Sequence, residues 1–69
     1  MKTFNIGDYV QIHMNYKNSS FENKHGIVIK VHNSYVDLSS EIRSSIYTVF
    51  ISLTNDYVSC FDNELELVH

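Results

Sequence analysis

The stretch His25-Gly26-Ile27-Val28-Ile29-Lys30-Val31-His32 constrains the fold of this chain more than any other. Its Val and Ile side chains are stiff about χ1 and fit the pleated surface of a sheet. The run opens with a glycine and closes with polar residues, which predicts a strand from Gly26 to about His32. A second run, Ile46-Tyr47-Thr48-Val49-Phe50-Ile51-Ser52-Leu53, alternates. Tyr47, Val49 and Ile51 fall on one face, and Ile46, Thr48 and Phe50 on the other. Thr54-Asn55-Asp56 supplies a turn and Tyr57-Val58-Ser59-Cys60-Phe61 returns, so 46–61 predicts a β-hairpin.

The remaining segments are shorter or more polar. Gly7-Asp8 is a turn signal, and Tyr9 to His13 then alternates, with Val10 and Ile12 on one face. Met14 to Lys24 is a long polar connection interrupted by Tyr16 and Phe21. A connection of that length in a small domain is disordered or functional. Asn33 to Ser45 is a second long segment. Within it Ser39 to Ser44 reads as weakly helical or irregular, because Ser39 lacks a Glu or Gln three residues on. Tyr35, Val36 and Leu38 either extend the second strand beyond a bulge or begin another edge. Asp62-Asn63-Glu64-Leu65 suits one 3₁₀ turn, and Glu66-Leu67-Val68 a final short strand. Five short strands with no helix of useful length favour a sheet closed on itself, since closure removes open edges. The expected core is Val10, Ile12, Val28, Val31, Val49, Ile51, Leu65 and Val68.

Composition narrows the function classes. Sixty-nine residues make a single domain, 1–69, with a modest core. Cys60 is the sole cysteine, so neither an internal disulfide nor a cysteine zinc cluster can form from this chain. Its thiol reads as a small buried apolar group. No apolar window of about eighteen residues exists, and Met1-Lys2-Thr3-Phe4-Asn5 lacks a signal-peptide core, so a cytoplasmic protein is expected. The formal charge is −3 and unevenly spread. Residues 50–69 hold Asp56, Asp62, Glu64 and Glu66 and no Lys or Arg. A net acidic chain has no general pull on a phosphate backbone. The chain lacks Ala, Pro and Trp, has one Arg, and is rich in Asn, Ser, Ile, Tyr and Lys. That bias fits a low-G+C genome of a bacterium, plasmid or phage.

The layout resembles the SH3-like small barrels, especially the branch with KOW-type domains and small prophage-encoded barrels. The carrying residues are Phe4-x-Ile6-Gly7-Asp8-x-Val10, Gly26-x-Val28-x-x-Val31, Tyr47-x-Val49 and Glu64-Leu65-Glu66-Leu67-Val68. The resemblance implies an all-β, five-stranded SH3-like barrel with a short 3₁₀ turn before the last strand. It implies RNA binding, peptide binding or an accessory-subunit role, without choosing among them.

The residues that could carry chemistry point to binding. His13 and His25 would approach each other if the first two strands pair antiparallel, but no third ligand sits at metal spacing. The C-terminal carboxylates lack Ca²⁺-loop spacing and an evident apolar pocket, so they read as a solvated acidic face. No nucleophile elbow, phosphate loop or dinucleotide glycine pattern occurs. No enzyme, cofactor or metal is expected. Lys17, Lys24 and Lys30 interleave with Tyr16 and Phe21, which leaves RNA contact as the alternative. The reading is a non-enzymatic module that binds and modulates a partner or host protein, with a phage or mobile element as an expected source. Tyr16, Lys17, Phe21 and Lys24 are the expected contacts, with Asn33 to Arg43 as the other wall. A core-plugging role for Phe21 is the competing reading.

Overall fold

The computed structural model describes residues 3–15, 18–37 and 42–68, with backbone alone for 33–37 and 42–44. Five antiparallel strands form a single sheet: β1 Tyr9–Ile12, β2 Lys24–Asp37, β3 Ile42–Ile51, β4 Asp56–Phe61 and β5 Leu65–Leu67. Their order is β4-β3-β2-β1-β5. A 3₁₀ turn at Ser19–Phe21 lies in the first connection, and another at Asp62–Glu64 precedes β5. The described residues contain no α-helix.

The expected closure does not occur. β4 and β5 are the two ends of the hydrogen-bonded order. β5 is only three residues long; it pairs with Val10, Gln11 and Ile12 of β1 along one edge and with no other described strand along the other. The sheet is open, though compatible with a small barrel-like fold.

β2 is longer than its apolar run predicts. It continues through Tyr35 and Val36 to Asp37, pairing with Ser44, Arg43 and Ile42 of β3. The expected irregular segment is therefore strand from Ile42 to Ser44, while Leu38 to Glu41 lie outside the described residues. Two register shifts, between Val28 and Lys30 and between His32 and Tyr35, let one strand run so far. The first shift makes Ile29 an extra residue, so Ile27 and Lys30 share a face although three apart. It likewise puts Val28 and Val31 on the other face. β3 ends at Ile51, not Leu53, and the turn to β4 closes through Asn55 in the left-handed region at φ 58°. Asn tolerates that conformation better than most residues.

The core lies on one face. Val10, Ile12, Val28, Tyr47, Val49, Ile51, Val58, Cys60 and Leu65 are buried there, with Phe4 folded over them. The Phe4 and Tyr47 rings meet edge to face at 5.3 Å, and the Phe4 amide donates to the Tyr47 hydroxyl at 3.3 Å. Val31 and Val68 are partly covered rather than buried. Gly26 belongs to this face too. A Cβ there would sit 2.5 Å from Val49 Cγ1 and 2.6 Å from the Phe50 carbonyl oxygen. Only hydrogen fits where β2 passes so close to β3.

The acidic C-terminal segment is not uniformly solvated. Glu64 is 3% exposed, and its Oε1 accepts the Phe61 amide at 2.7 Å. This is the Glu half of a capping box; Phe61 offers no side-chain acceptor in return. A backbone donor at the start of the 3₁₀ turn makes burial of that carboxylate tolerable.

Candidate docking face

The opposite face of the sheet carries the candidate site. Tyr9 pairs with Ile27, Ile27 with Phe50, and Phe50 with Tyr57. These four residues form one continuous row across β1, β2, β3 and β4, a span of about 14 Å at normal strand spacing. Tyr9 is 47% exposed, Ile27 44% and Tyr57 67%; Phe50 is half-buried between its neighbours. Two ring pairs flank Ile27. Tyr9 meets His25 edge to face at 5.7 Å, and Phe50 meets Tyr57 at 5.0 Å with a 42° tilt. A groove of about 510 Å³ opens over one end of the row, where Lys24, His25 and Leu53 join it.

The charges that β2 brings to this face are basic. Lys30, His25 and His32 are exposed there, with Gln11, Thr48 and Ser59 between them. Among the described side chains of β1 to β4 it carries no Asp or Glu. Glu66 of β5 joins the face, because it pairs with Gln11, whereas Asp56 shares a register position with the buried Ile51 and Glu64 is internal.

The sequence-selected contacts are only partly joined to this surface. Tyr16 and Lys17 lie outside the described residues. Phe21 is half-buried and packs against the core from the 3₁₀ turn. Lys24 opens β2 and lines the groove. Of the expected other wall, 33–37 form the far end of β2 and 42–43 the start of β3, and 38–41 lie outside the described residues. The first connection is structured where it is described. Asn15 is buried, its Nδ2 donates to Cys60 Sγ at 3.5 Å, and its Oδ1 accepts the Asn18 amide at 2.9 Å. Asn18 in turn caps the 3₁₀ turn by accepting from the Ser20 amide at 3.0 Å.

The other candidate chemistries separate. His13 Nε2 donates to the Asn63 carbonyl at 2.8 Å, while His25 turns to Tyr9, so the two imidazoles are engaged apart. No group of three or more His, Cys, Asp or Glu is placed to hold a metal among the described residues. Cys60 is buried, and burial with the nearby Glu64 charge pushes its thiol up to about 11 despite the Asn15 hydrogen bond. It is therefore a poor nucleophile at neutral pH. Among the described residues no helix is long and apolar enough to cross a membrane. Compared with protein-family models, with curated proteins and with solved structures, the chain matches none.

The row escaped sequence reasoning because its members come from four separate strands. The signal was present in part: Tyr9, Phe50 and Tyr57 all stand opposite the core parity of their strands. The extra residue at Ile29 hid the register that brings Ile27 between them.

Proposed function

We propose that this chain is a non-enzymatic binding module of SH3-like type that docks a partner protein on the outer face of its sheet. The exposed row Tyr9–Ile27–Phe50–Tyr57 carries the reading. Contiguous exposed aromatic and aliphatic side chains on a rigid sheet are costly to leave wet and supply anchoring area at small entropic cost. The strand order and the 3₁₀ turn before β5 support the SH3-like part. The partner surface that fits is apolar at its centre and acidic along the β2 margin, where Lys30, His25 and His32 border the row, while Glu66 stands on the same face at its β5 end. Lys24 links the groove to the first connection, whose Tyr16, Lys17 and Phe21 complete the set of contacts in this reading. Modulation of a host protein by a phage or mobile-element product, in the cytoplasm, is the role that size and composition suggest.

A KOW-like contact with RNA is the competing outcome. The row could stack bases, but three lysines and two imidazoles give few partners for phosphate on a chain of net charge −3. Affinity capture with the wild type and with a Tyr9→Ser, Tyr57→Ser double variant distinguishes them. The reading expects a protein retained by the wild type and reduced at least about tenfold by the folded variant. Equal capture by both overturns it. So does binding of a single-stranded RNA pool that falls steeply with salt and needs the same tyrosines.

A further inference from the structure

The two edges of the sheet differ. β5 is three residues long and carries Glu66, so brevity and charge blunt it. β4 is six residues long and pairs with β3 position by position without a bulge. It contains no Pro, Lys or Arg, the usual guards of an exposed edge. One hydrogen bond fixes which of its groups face outward. The Phe61 amide donates to Glu64 Oε1, so it points away from β3. In an antiparallel ladder a residue's N–H and C=O point the same way, and the direction alternates along the strand. Ser59 and Tyr57 therefore turn both groups to the open edge, while Val58 and Cys60 use theirs on β3.

We propose that β4 pairs antiparallel with β4 of a second copy of this chain, about a two-fold axis at Val58. Tyr57 of each copy then lies opposite Ser59 of the other, and each such pair exchanges both backbone bonds. The neighbouring registers are poorer. An axis at Ser59 sets Asp56 against Asp62 twice and demands the Phe61 amide that Glu64 already holds. An axis at Tyr57 requires pairing by Asn55, which sits in the left-handed turn at φ 58°. The Val58 register avoids both faults. It also brings the two Tyr57 rings diagonally together on the outer face, covering side chains that are 67% exposed in one copy. The pairing joins the sheets edge to edge and leaves Tyr9 and Ile27 open; it shares Tyr57 with the row proposed to dock a partner, but it is argued from the β4 edge alone and is tested without that partner.

Sedimentation equilibrium of the full chain from micromolar to millimolar concentration tests the pairing. The mass should rise from 8.0 kDa toward twice that value. Ser59→Pro is the decisive variant, because it removes an edge donor without touching the β3 ladder, and proline is tolerated on an edge facing solvent. It should remain at 8.0 kDa throughout while keeping the dispersed amide spectrum of the wild type. A wild type that stays monomeric at millimolar concentration overturns the proposal, and so does a folded Ser59→Pro that dimerises as the wild type does. Should Ser59→Pro fail to fold, Ser59→Lys decides, since it sets two like charges diagonally across the axis. Dimerisation should weaken at least about tenfold at low salt and recover as salt screens the pair; no weakening overturns the register.

Discussion

The two faces of the sheet are built from similar residues and meet different surroundings. On the inner face Val10, Val28, Val49 and Leu65 are fully buried. On the outer face Tyr9, Ile27 and Tyr57 are about half exposed or more. Hydrophobicity does not separate them; the connections do. Phe4 folds over the inner face, Phe21 leans on it, and Asn15 ties the first connection to Cys60. The 3₁₀ turn carries Glu64 and Leu65 under the same side. No described segment crosses the outer face. The strands thus hold more apolar surface than one small core uses, and the remainder is what a second molecule can cover.

Changes confined to one face test this contrast, and Gly26 should give the largest effect. Gly26→Ala places a methyl group against the Val49 side chain and the Phe50 carbonyl. The carbonyl is backbone and cannot move aside without parting β2 from β3. A loss of about 3 kcal/mol is expected in denaturant unfolding. A loss below about 1 kcal/mol would mean that the strands are not packed as closely as the inner face requires.

Cys60 gives the next effect, visible only in alkali. Its folded thiol is held at about 11 against an ordinary 9.0, first by burial and then by the Glu64 charge. The folded state therefore keeps a proton that the unfolded chain releases. The stabilisation is intact below pH 9 and is lost as pH rises toward 11. Two pH units correspond to about 2 to 3 kcal/mol. The difference in stability between wild type and Cys60→Ala should shrink by that order between pH 8 and pH 11. A difference independent of pH would show the thiol to be open to water.

Much of the inner face was legible in the sequence. Val10 and Ile12, Tyr47, Val49 and Ile51, and the return at Val58 and Cys60 follow a period of two that physics enforces where one side is buried. The hairpin of β3 and β4 and the 3₁₀ turn were legible for the same reason: turn residues stand between the runs. The course of β2 was not. A bulge adds one residue without a compositional mark, and Tyr35 and Val36 gain their strand partners only from residues 42–44. Closure was misjudged because edge pairing depends on strand length, and β5 ends after three residues. Burial of Glu64 was hidden because its partner is the backbone amide of Phe61, which any residue would have supplied. The exposed row was hidden because it is a property of cross-strand register, and no local pattern announces that.

The smallest and sharpest test makes the same replacement at two adjacent positions. Ile27 and Val28 are neighbours in β2 with side chains on opposite faces, paired with Phe50 and Val49. Threonine keeps the branch at Cβ, so strand propensity is nearly unchanged in both. Val28→Thr is almost isosteric, yet it sets a hydroxyl in the fully buried core without a designed partner. It should cost about 1 to 3 kcal/mol. Ile27→Thr removes more carbon, but from a side chain 44% exposed, and its hydroxyl can reach water. It should cost about 1 kcal/mol or less, measured in dilute protein. On the proposed function the order reverses for binding: folded Val28→Thr keeps the partner, whereas Ile27→Thr weakens it from the centre of the row. Equal stability losses would mean that the outer face is covered in the isolated chain after all, and the row would then be core rather than contact surface.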